Sequence, residues 1–444
     1  MWLLIKLAWR SLWRNRRRTI ITITSIGFSL SLAVFFIAFA DGMYADLIDD
    51  AVRMQAGHLT VEHREYRDAP AIDLTIDEVG ALRRRIEALD NVSGTKLLAA
   101  GQGVARSGLG AIGVAIVGVE PEIEGETSPL AEKIVAGRYL EPGDTRKVVV
   151  GDKLAERLEL ESERDLKRIA GFVATLVAPF GLEPERIRSP IRVQLAVGKK
   201  LVLTSSDIDG EITQQMVRVK GVFSTGAVEI DGYFTQIPYA FARQLYGMQS
   251  DQATQLGVLL DDPADREAVR AAVAEMLPPD AAVRSWEEVL PDLAAYIKID
   301  GGSNYVFQGI LIFLVMFTIF NTILMSVLER KREFAVLLAL GTPTGRIKAQ
   351  ILLETVFIAL IGVAIGLGLG GGVGYYFQVH GLDLRQFYAD GMSVSGMAID
   401  PVIRAMVTPG MLATVGGLVF GATLLLSLYP MGRVKRISVA DVLR

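Results

Sequence analysis

The chain contains no cysteine. That excludes disulfides, thiolate metal sites and cysteine nucleophiles. Histidine is scarce as well, with only His58, His63 and His380, so no histidine-rich metal centre is expected. A phosphate-binding loop is missing. Val197-Gly198-Lys199-Lys200 has neither the upstream glycine nor the following Ser/Thr that such a loop needs. Gly101-Gln102-Gly103 has strand character around it and no helix opening after it, so it reads as a bulge or turn rather than a dinucleotide fingerprint. No serine has a recognisable catalytic signature beside it. No basic, aromatic-interleaved patch suggests nucleic acid. Neither catalytic residues nor a directly bound cofactor are expected.

Long apolar runs, in contrast, are abundant. Of 444 residues 51% are apolar, and the mean hydropathy is +0.36. Four runs, at 19–40, 305–328, 347–377 and 411–430, are long enough to cross a membrane, since a roughly 30 Å hydrocarbon core takes about 20 residues. The third is long enough to tilt or to extend beyond the bilayer. Residues 41–304 are far too polar for lipid and form one large domain inserted after the first span.

Charge sets the expected orientation. Residues 1–18 carry Lys6, Arg10, Arg14, Arg16, Arg17 and Arg18 and no acid. The loop at 329–346 and the tail at 431–444 are also basic, whereas 41–304 holds 43 acids against 29 bases. The loop at 378–410 has two basic residues, Arg385 and Arg404, and three acids. Both termini are therefore expected in the cytoplasm, with the large domain outside an inner membrane. Ala38-Phe39-Ala40 resembles a signal cleavage site. The run before it, however, exceeds the roughly 7–15 residues of a signal core, so an uncleaved anchor is expected.

Residues 2–18 place Trp2, Ile5, Trp9 and Leu12 on one helical face and Lys6, Arg10, Arg14 and Arg17 on the other, as in an elbow helix on the headgroups. Residues 43–56 continue the first span as a stalk. The large domain then alternates strands and helices, the pattern of an α/β or α+β domain. Strands are expected at 58–63, 92–106, 111–119 and 147–150, with a hairpin from 191–204 and 212–223. Helices are expected at 75–89, capped by Thr75 with Glu78, and at 151–160, 163–180, 236–246, 263–276 and 285–299. Glu120, Glu122, Glu124 and Glu126 read as an exposed acidic loop, because no hard-cation spacing surrounds them.

The stretch 318–374 organises the rest. Between two spans, Arg330, Lys331, Arg332, Arg346 and Lys348 make a basic segment in which Phe334, Leu337, Leu338 and Gly341 follow helical spacing. Such a helix fits either a lever passing a push from a cytoplasmic partner or an ordinary loop helix lying on the headgroups. Gly362, Gly366, Gly370 and Gly374 line one face of the third span, and Gly417 and Gly421 share that spacing in the fourth. Such faces let helix backbones approach closely. Asn321 and Glu354 are polar residues at membrane depth that need partners.

These segments resemble the permease subunits of ATP-driven (ABC) transporters of the MacB, LolC/LolE and FtsX type. The resemblance lies in AWRSLWRNRRRTIITI at 8–23, DGMYADLIDDAVRMQAGHLTVEH at 41–63, ERKREFAVLLALGTPTGRIKAQILLET at 329–355 and YPMGRVKRISVADVLR at 429–444. The second of these looks most like the lipoprotein-releasing branch. The resemblance implies four spans, an α/β extracytoplasmic domain between the first two, and two permeases working with a cytoplasmic ATPase dimer that binds ATP and Mg. The sequence has no Walker motif, so that ATPase is expected on a separate chain. The resemblance makes Arg330, Lys331, Arg332, Glu333, Phe334, Leu337, Leu338 and Gly341 the ATPase-coupling segment. Val34, Phe35, Ala38, Phe39, Phe307, Ile310 and Leu314 would line a cavity for a lipoprotein or other amphipathic substrate. A second permease copy, identical or paralogous, and a periplasmic adaptor or chaperone are further implied partners. Residues 163–190 fit the family pattern poorly and read as an insertion.

Overall fold

The structure, a computed structural model, describes residues 2–14, 16–55, 57–160, 196–384, 392–394, 397–399 and 402–434. The expected helix at 163–180, the insertion at 163–190 and most of the terminal basic tail lie outside the described residues. The chain divides into two compact units. One comprises Met1–Asp46, Lys298–Leu384 and Val402–Arg444, and the other Leu47–Ile297 with Arg385–Pro401.

The helical unit opens with α1 (Trp2–Arg14), whose Ala8 and Leu12 are buried while its arginines stay exposed. A single helix of 39 residues, α2 (Arg16–Met54), follows. No proline interrupts it, so its hydrogen-bond ladder runs unbroken through the first apolar span and the expected stalk.

The second unit is built on one 10-stranded sheet. Its strands are β1 (Leu59–His63), β2 (Val92–Arg106), β3 (Ala111–Val119), β4 (Ile134–Gly137), β5 (Lys147–Gly151), β6 (Lys200–Ser206), β7 (Ile212–Phe223), β8 (Phe234–Pro238), β9 (Gln255–Leu260) and β10 (Ala281–Ser285). Its helices include α3 (Val79–Glu87), α4 (Pro121–Thr127), α5 (Asp152–Arg157), α6 (Val228–Tyr233), α7 (Tyr239–Tyr246) and α8 (Arg266–Ala274). The order is β10-β1-β9-β2-β3-β8-β5-β7-β4, and β6 pairs with both β2 and β7. Six strands, β2-β3-β8-β5-β7-β6, thus close into a ring, while β9, β1 and β10 extend from the near end of β2. The 15 residues of β2 serve both halves. Its first half pairs with β9 and its second with β6.

Each half has its own core. Val114, Ile116, Val148, Val150, Leu203 and Val219 pack with Phe241, Leu245 and Tyr246 of α7. Leu59, Val61, Leu256 and Val258 pack beneath Val79, Leu82 and Ile86 of α3 and Val269 and Val273 of α8. Each such side chain contributes roughly 1.5–3 kcal/mol on burial.

Three expectations are corrected in this unit. The helix assigned to 75–89 starts only at Val79, because Ile76 is drawn into a bridge with Ala253, which keeps the preceding residues extended. Thr75 is therefore no cap; Gly80 N–H donates instead to Asp251 Oδ1 at 2.7 Å. The helix expected at 236–246 is the strand β8 up to Pro238 and a helix only afterwards. The strand inserts between β3 and β5, and that pairing overrides local propensity. Gly101 and Gly103 form no bulge, since both pair in register with β3. A Cβ on Gly101 would stand 2.8 Å from the Tyr246 hydroxyl, so the glycine makes room for that ring.

The helical unit resumes with α9 (Pro291–Glu329), α10 (Lys331–Ala339), α11 (Thr344–His380) and α12 (Pro409–Val434). Among the described residues four helices, running over Thr19–Met54, Pro291–Glu329, Thr344–His380 and Pro409–Tyr429, are long and apolar enough to cross a membrane. Proline opens α9 and α12, where its missing N–H would be unpaired in any case. The helix expected at 285–299 is instead β10, a turn of helix at Trp286–Val289, and then α9. Pro291 cannot donate the hydrogen bond that would fuse the last two.

Candidate functional site

Short α10 sits between α9 and α11, where Phe334, Val327, Ile347, Ile351 and Met431 form one apolar cluster. Phe334 is 1% exposed and Ala335 is fully covered. Leu337 and Leu338 pack against the same cluster and are half-buried. Val336, 45% exposed, and Leu340, 77% exposed, point outward with Lys331 and Arg332. The structure thereby corrects the expected contact surface. Phe334 holds α10 to its neighbours and is not available to a partner; the free face is the opposite one.

The end of α10 is a Schellman motif. Gly341 N–H donates to the Leu338 carbonyl and Thr342 N–H to the Leu337 carbonyl, both at 3.0 Å. Gly341 has φ +84°, a left-handed conformation that other residues resist. It therefore lies beyond the helix and terminates it, instead of adding to its apolar face.

Arg330 separates α9 from α10 and is the hub of a polar network. Its guanidinium donates to Glu354 of α11 at 2.7 Å and to Glu333 of α10 at 3.1 Å. It also lies 5.0 Å over the Phe334 ring. Gln350 donates to the other Glu354 oxygen at 3.1 Å, and Arg14 of α1 donates to Glu333. The Arg330 and Glu354 side chains are only 12% and 10% exposed. In such surroundings the loss of one partner costs about 3–5 kcal/mol, far more than at a surface pair. A cavity of about 30 Å³ adjoins them, lined by Thr19 and Thr22 of α2 and by Ile358 and Thr355 of α11.

The glycine face of α11 meets α2. A Cβ would lie 2.7 Å from Ile26 at Gly362, from Leu30 at Gly366 and from the Ser31 carbonyl at Gly370. Gly374 faces Val407 at 2.7 Å. In α12 the close contact is made by Gly416, against Leu367 at 2.7 Å. A Cβ on Gly417 or Gly421 would meet nothing within 4 Å, so their expected packing is not made among the described residues. One residue turns a helix by about 100°, enough to put Gly416 inside and Gly417 outside.

The expected cavity residues divide. Phe307, Ile310 and Leu314 of α9 are 51–67% exposed. Val34 and Ala38 are fully buried: Val34 lies against Gly370, and the Ala38 carbonyl accepts from Met406 N–H at 2.7 Å. These two are packing residues and do not line an open cavity. Phe35 stacks on Phe39 at 5.9 Å and meets Phe377 at 5.8 Å. Asn321 is exposed on α9.

A second buried ion pair, missed in the sequence, lies in the sheet domain. Glu124 is 1% exposed, because 121–127 is the helix α4 and not a loop. Glu122 and Glu126 are exposed as expected, but Glu124 is not, since a carboxylate every second residue reads as solvated unless its partner is known. That partner is Lys96 of β2, also 1% exposed, whose Nζ lies 3.4 Å from Glu124 and donates to the Arg53 carbonyl at 2.7 Å. Gln236 donates to Glu124 at 3.2 Å and Tyr139 donates to Gln236 at 2.6 Å. Burial pushes the Lys96 ammonium below the usual lysine range, opposed by the Glu124 charge, and raises the Tyr139 phenol. Lys96 thereby binds the last turn of α2. The signal was a lone lysine amid the apolar alternation of a strand.

A four-helix membrane bundle with a short helix docked between its second and third members, and a large α/β domain between its first and second, is the architecture of an ABC transporter permease. The chain belongs to that family. The MacB-like periplasmic core domain matches residues 19–276 and the FtsX-like permease C-terminal domain matches 305–439. The lipoprotein-releasing system transmembrane protein LolC of Neisseria meningitidis serogroup B (strain ATCC BAA-335 / MC58) is 24% identical over 346 residues, covering 75% of this chain and 73% of LolC. The macrolide export ATP-binding/permease protein MacB of Campylobacter fetus subsp. fetus is 31% identical over 83 residues, but these cover only 19% of this chain and 13% of that one. The solved periplasmic region of MacB from Actinobacillus actinomycetemcomitans is 13% identical, with a TM-score of 0.33 over 52% of this chain and 89% of that one.

Proposed function

We propose that the chain is a lipoprotein-releasing or lipoprotein-translocating permease of the inner membrane, with both termini in the cytoplasm and the sheet domain in the periplasm. The observation that carries the transport reading is α10, a short helix anchored inward by Phe334 and presenting Lys331, Arg332, Val336 and Leu340 outward. That face is the proposed seat of a cytoplasmic ATPase, which binds ATP and Mg. Nucleotide-driven movement then passes through α10 to the bundle and on to the sheet domain of two cooperating permeases. No catalytic residue of this chain enters the cycle.

The lipoprotein reading is supported by the similarity to LolC along most of both chains, where the MacB likeness covers a fifth of this one. Efflux of drugs or peptides through a periplasmic adaptor is the second reading, favoured by the MacB-like core domain match. Transmembrane signalling of the FtsX kind to a periplasmic enzyme is the third, favoured by the C-terminal match. Depletion separates them. Outer-membrane lipoproteins should accumulate in the inner membrane when the chain is removed. Undisturbed lipoprotein sorting together with macrolide or peptide sensitivity would select efflux instead.

A further inference from the structure

We infer that Arg330 and Glu354 form the joint through which displacement of α10 is handed to α11, and that both act as positioning residues of the transport cycle. The inference rests on the reading of α10 as the partner-facing helix, and it specifies how movement leaves that helix.

The two ends of α10 are held differently. At its far end the chain turns through Gly341, around which a Cβ would meet nothing within 4 Å. That end is held by the backbone hydrogen bonds of its cap and by Leu337 and Leu338 packed on the apolar cluster, with no charged side chain of α10 engaged there. At its near end Arg330 is tied to α9 by the chain, to α11 by the 2.7 Å bond to Glu354, and to α10 itself through Glu333. Glu333 in turn takes Arg14 of α1, and Trp9 of that helix sets its ring edge-on to Phe357 of α11 at 5.4 Å. Four helices therefore meet around one guanidinium. Only arginine serves here, because its planar fork reaches two carboxylates at once, whereas lysine offers a single point charge.

Glu354 is also the right place to receive a push. It belongs to a continuous buried stripe of α11 that runs Ile347, Ile351, Glu354, Ala359, Gly362, Gly366 and on to Gly374. The glycine part of that stripe rides directly on Ile26 and Leu30 of α2. A shift imposed at Glu354 moves the stripe as a rigid body, and α2 cannot stay in place because its side chains sit where a Cβ would be. The cavity of about 30 Å³ beside the pair is roughly one water's share of volume, so the packing around the guanidinium is close but not complete.

The test uses the full chain with its co-purified ATPase in lipid nanodiscs. The absence of native cysteine lets one engineered thiol, Ile212→Cys on the exposed side of β7, carry a fluorophore. The wild-type background should change emission on adding ATP and vanadate. Glu354→Gln should retain the ATPase and its basal hydrolysis but weaken that emission change by about tenfold, and Arg330→Gln and Arg330→Lys should weaken it at least as much. The double variant Arg330→Gln/Glu354→Gln should be no worse than Arg330→Gln alone, since the bond to Glu354 is already lost there. Thermal unfolding of each variant, measured in the same nanodiscs, separates a lost joint from a misfolded chain. A full response in the variants while the wild type responds overturns the joint alone. Additive losses in the double variant overturn the pairing. A wild-type chain that takes up no ATPase and gives no nucleotide response overturns the functional reading and the joint together.

Discussion

Two buried ion pairs, one in each unit, show how differently the same chemistry can be used. Arg330–Glu354 lies where four helices converge, retains slight exposure and has a small cavity beside it. Lys96–Glu124 is sealed on all sides and completed by Gln236, Tyr139 and the Arg53 carbonyl. The first ties helix to helix at a point that solvent still reaches. The second fixes a helix end to a sheet, with no space to move. A desolvated charge is costly in either setting, and breaking one partner is worse than never having had the pair. The comparison therefore ranks what should happen when each is disturbed.

The largest effect is expected at the sealed pair. Glu124→Ala leaves the Lys96 ammonium with one carbonyl for company and should destabilise the sheet domain by about 3–5 kcal/mol. Denaturant unfolding followed by tryptophan fluorescence measures this, with Trp286 in the domain as reporter. Lys96→Met/Glu124→Leu, which removes both charges, should cost less than Glu124→Ala alone. A double variant as damaged as the single one would show that the pair does more than satisfy itself. pH provides a second handle. The folded Lys96 sits below the ordinary lysine value of 10.5, so on the alkaline side the unfolded chain holds more protons than the folded one. Stability should then rise with pH between the depressed folded value and 10.5, and this rise should vanish in Lys96→Met.

Next comes α10, where the two faces of one helix can be set against each other. Phe334→Ala empties a site that is 1% exposed and should cost about 3–5 kcal/mol, read as thermal stability of the detergent-solubilised chain. Val336→Asp and Leu340→Asp, on the open face, should leave stability within about 0.5 kcal/mol yet abolish ATPase co-purification. Retention of the ATPase by both open-face variants would remove α10 as the seat.

That contrast marks the limit of what the sequence made legible. Hydropathy located four apolar runs, and strand-like composition broken by Gly108 and Gly110 located β2 and β3 to the residue, because both signals are local. Which face of α10 turns inward is not local. Phe334, Leu337 and Leu338 satisfy helical spacing whether they meet a partner or the chain's own Met431 and Ile351. Val34 and Ala38 failed as cavity residues for the same reason: an apolar position facing a glycine and one facing an open groove look alike along the chain. Thr75 and Glu124 failed because a bridge to Ala253 and a buried lysine on β2 decided them. The glycine spacing in α11 was readable since four members in register leave one face. In α12 two glycines at the same spacing were not enough to choose between Gly416 and its neighbour.

The glycines supply a smaller effect. Gly370→Val should cost about 1–3 kcal/mol, because the Ser31 carbonyl stands 2.7 Å from the new Cβ and backbone must give way. Gly421→Ala meets nothing within 4 Å and should be neutral or stabilising by up to about 1 kcal/mol. Thermal stability of the two variants in one detergent decides this. Equal destabilisation would mean that a second chain packs on Gly421.

The smallest expected effect returns to the sheet domain and tests whether a burial cost without an ion pair follows the same rule. His58 accepts from Leu260 N–H at 3.1 Å through Nδ1. Burial holds its imidazole below the usual 6.5, an effect that Asp49 opposes and Arg266 reinforces. Between the depressed value and 6.5 the unfolded chain binds more protons, so stability should rise with pH there and be lost as pH falls through that window. Asparagine offers an oxygen near the place of Nδ1 and does not titrate. His58→Asn should therefore flatten the slope of stability against pH below 6.5 while leaving the Lys96-dependent slope at high pH untouched. If both slopes change together, the two groups share one unfolding unit through β9 and β2, and the sealed pair extends its hold beyond its own partners.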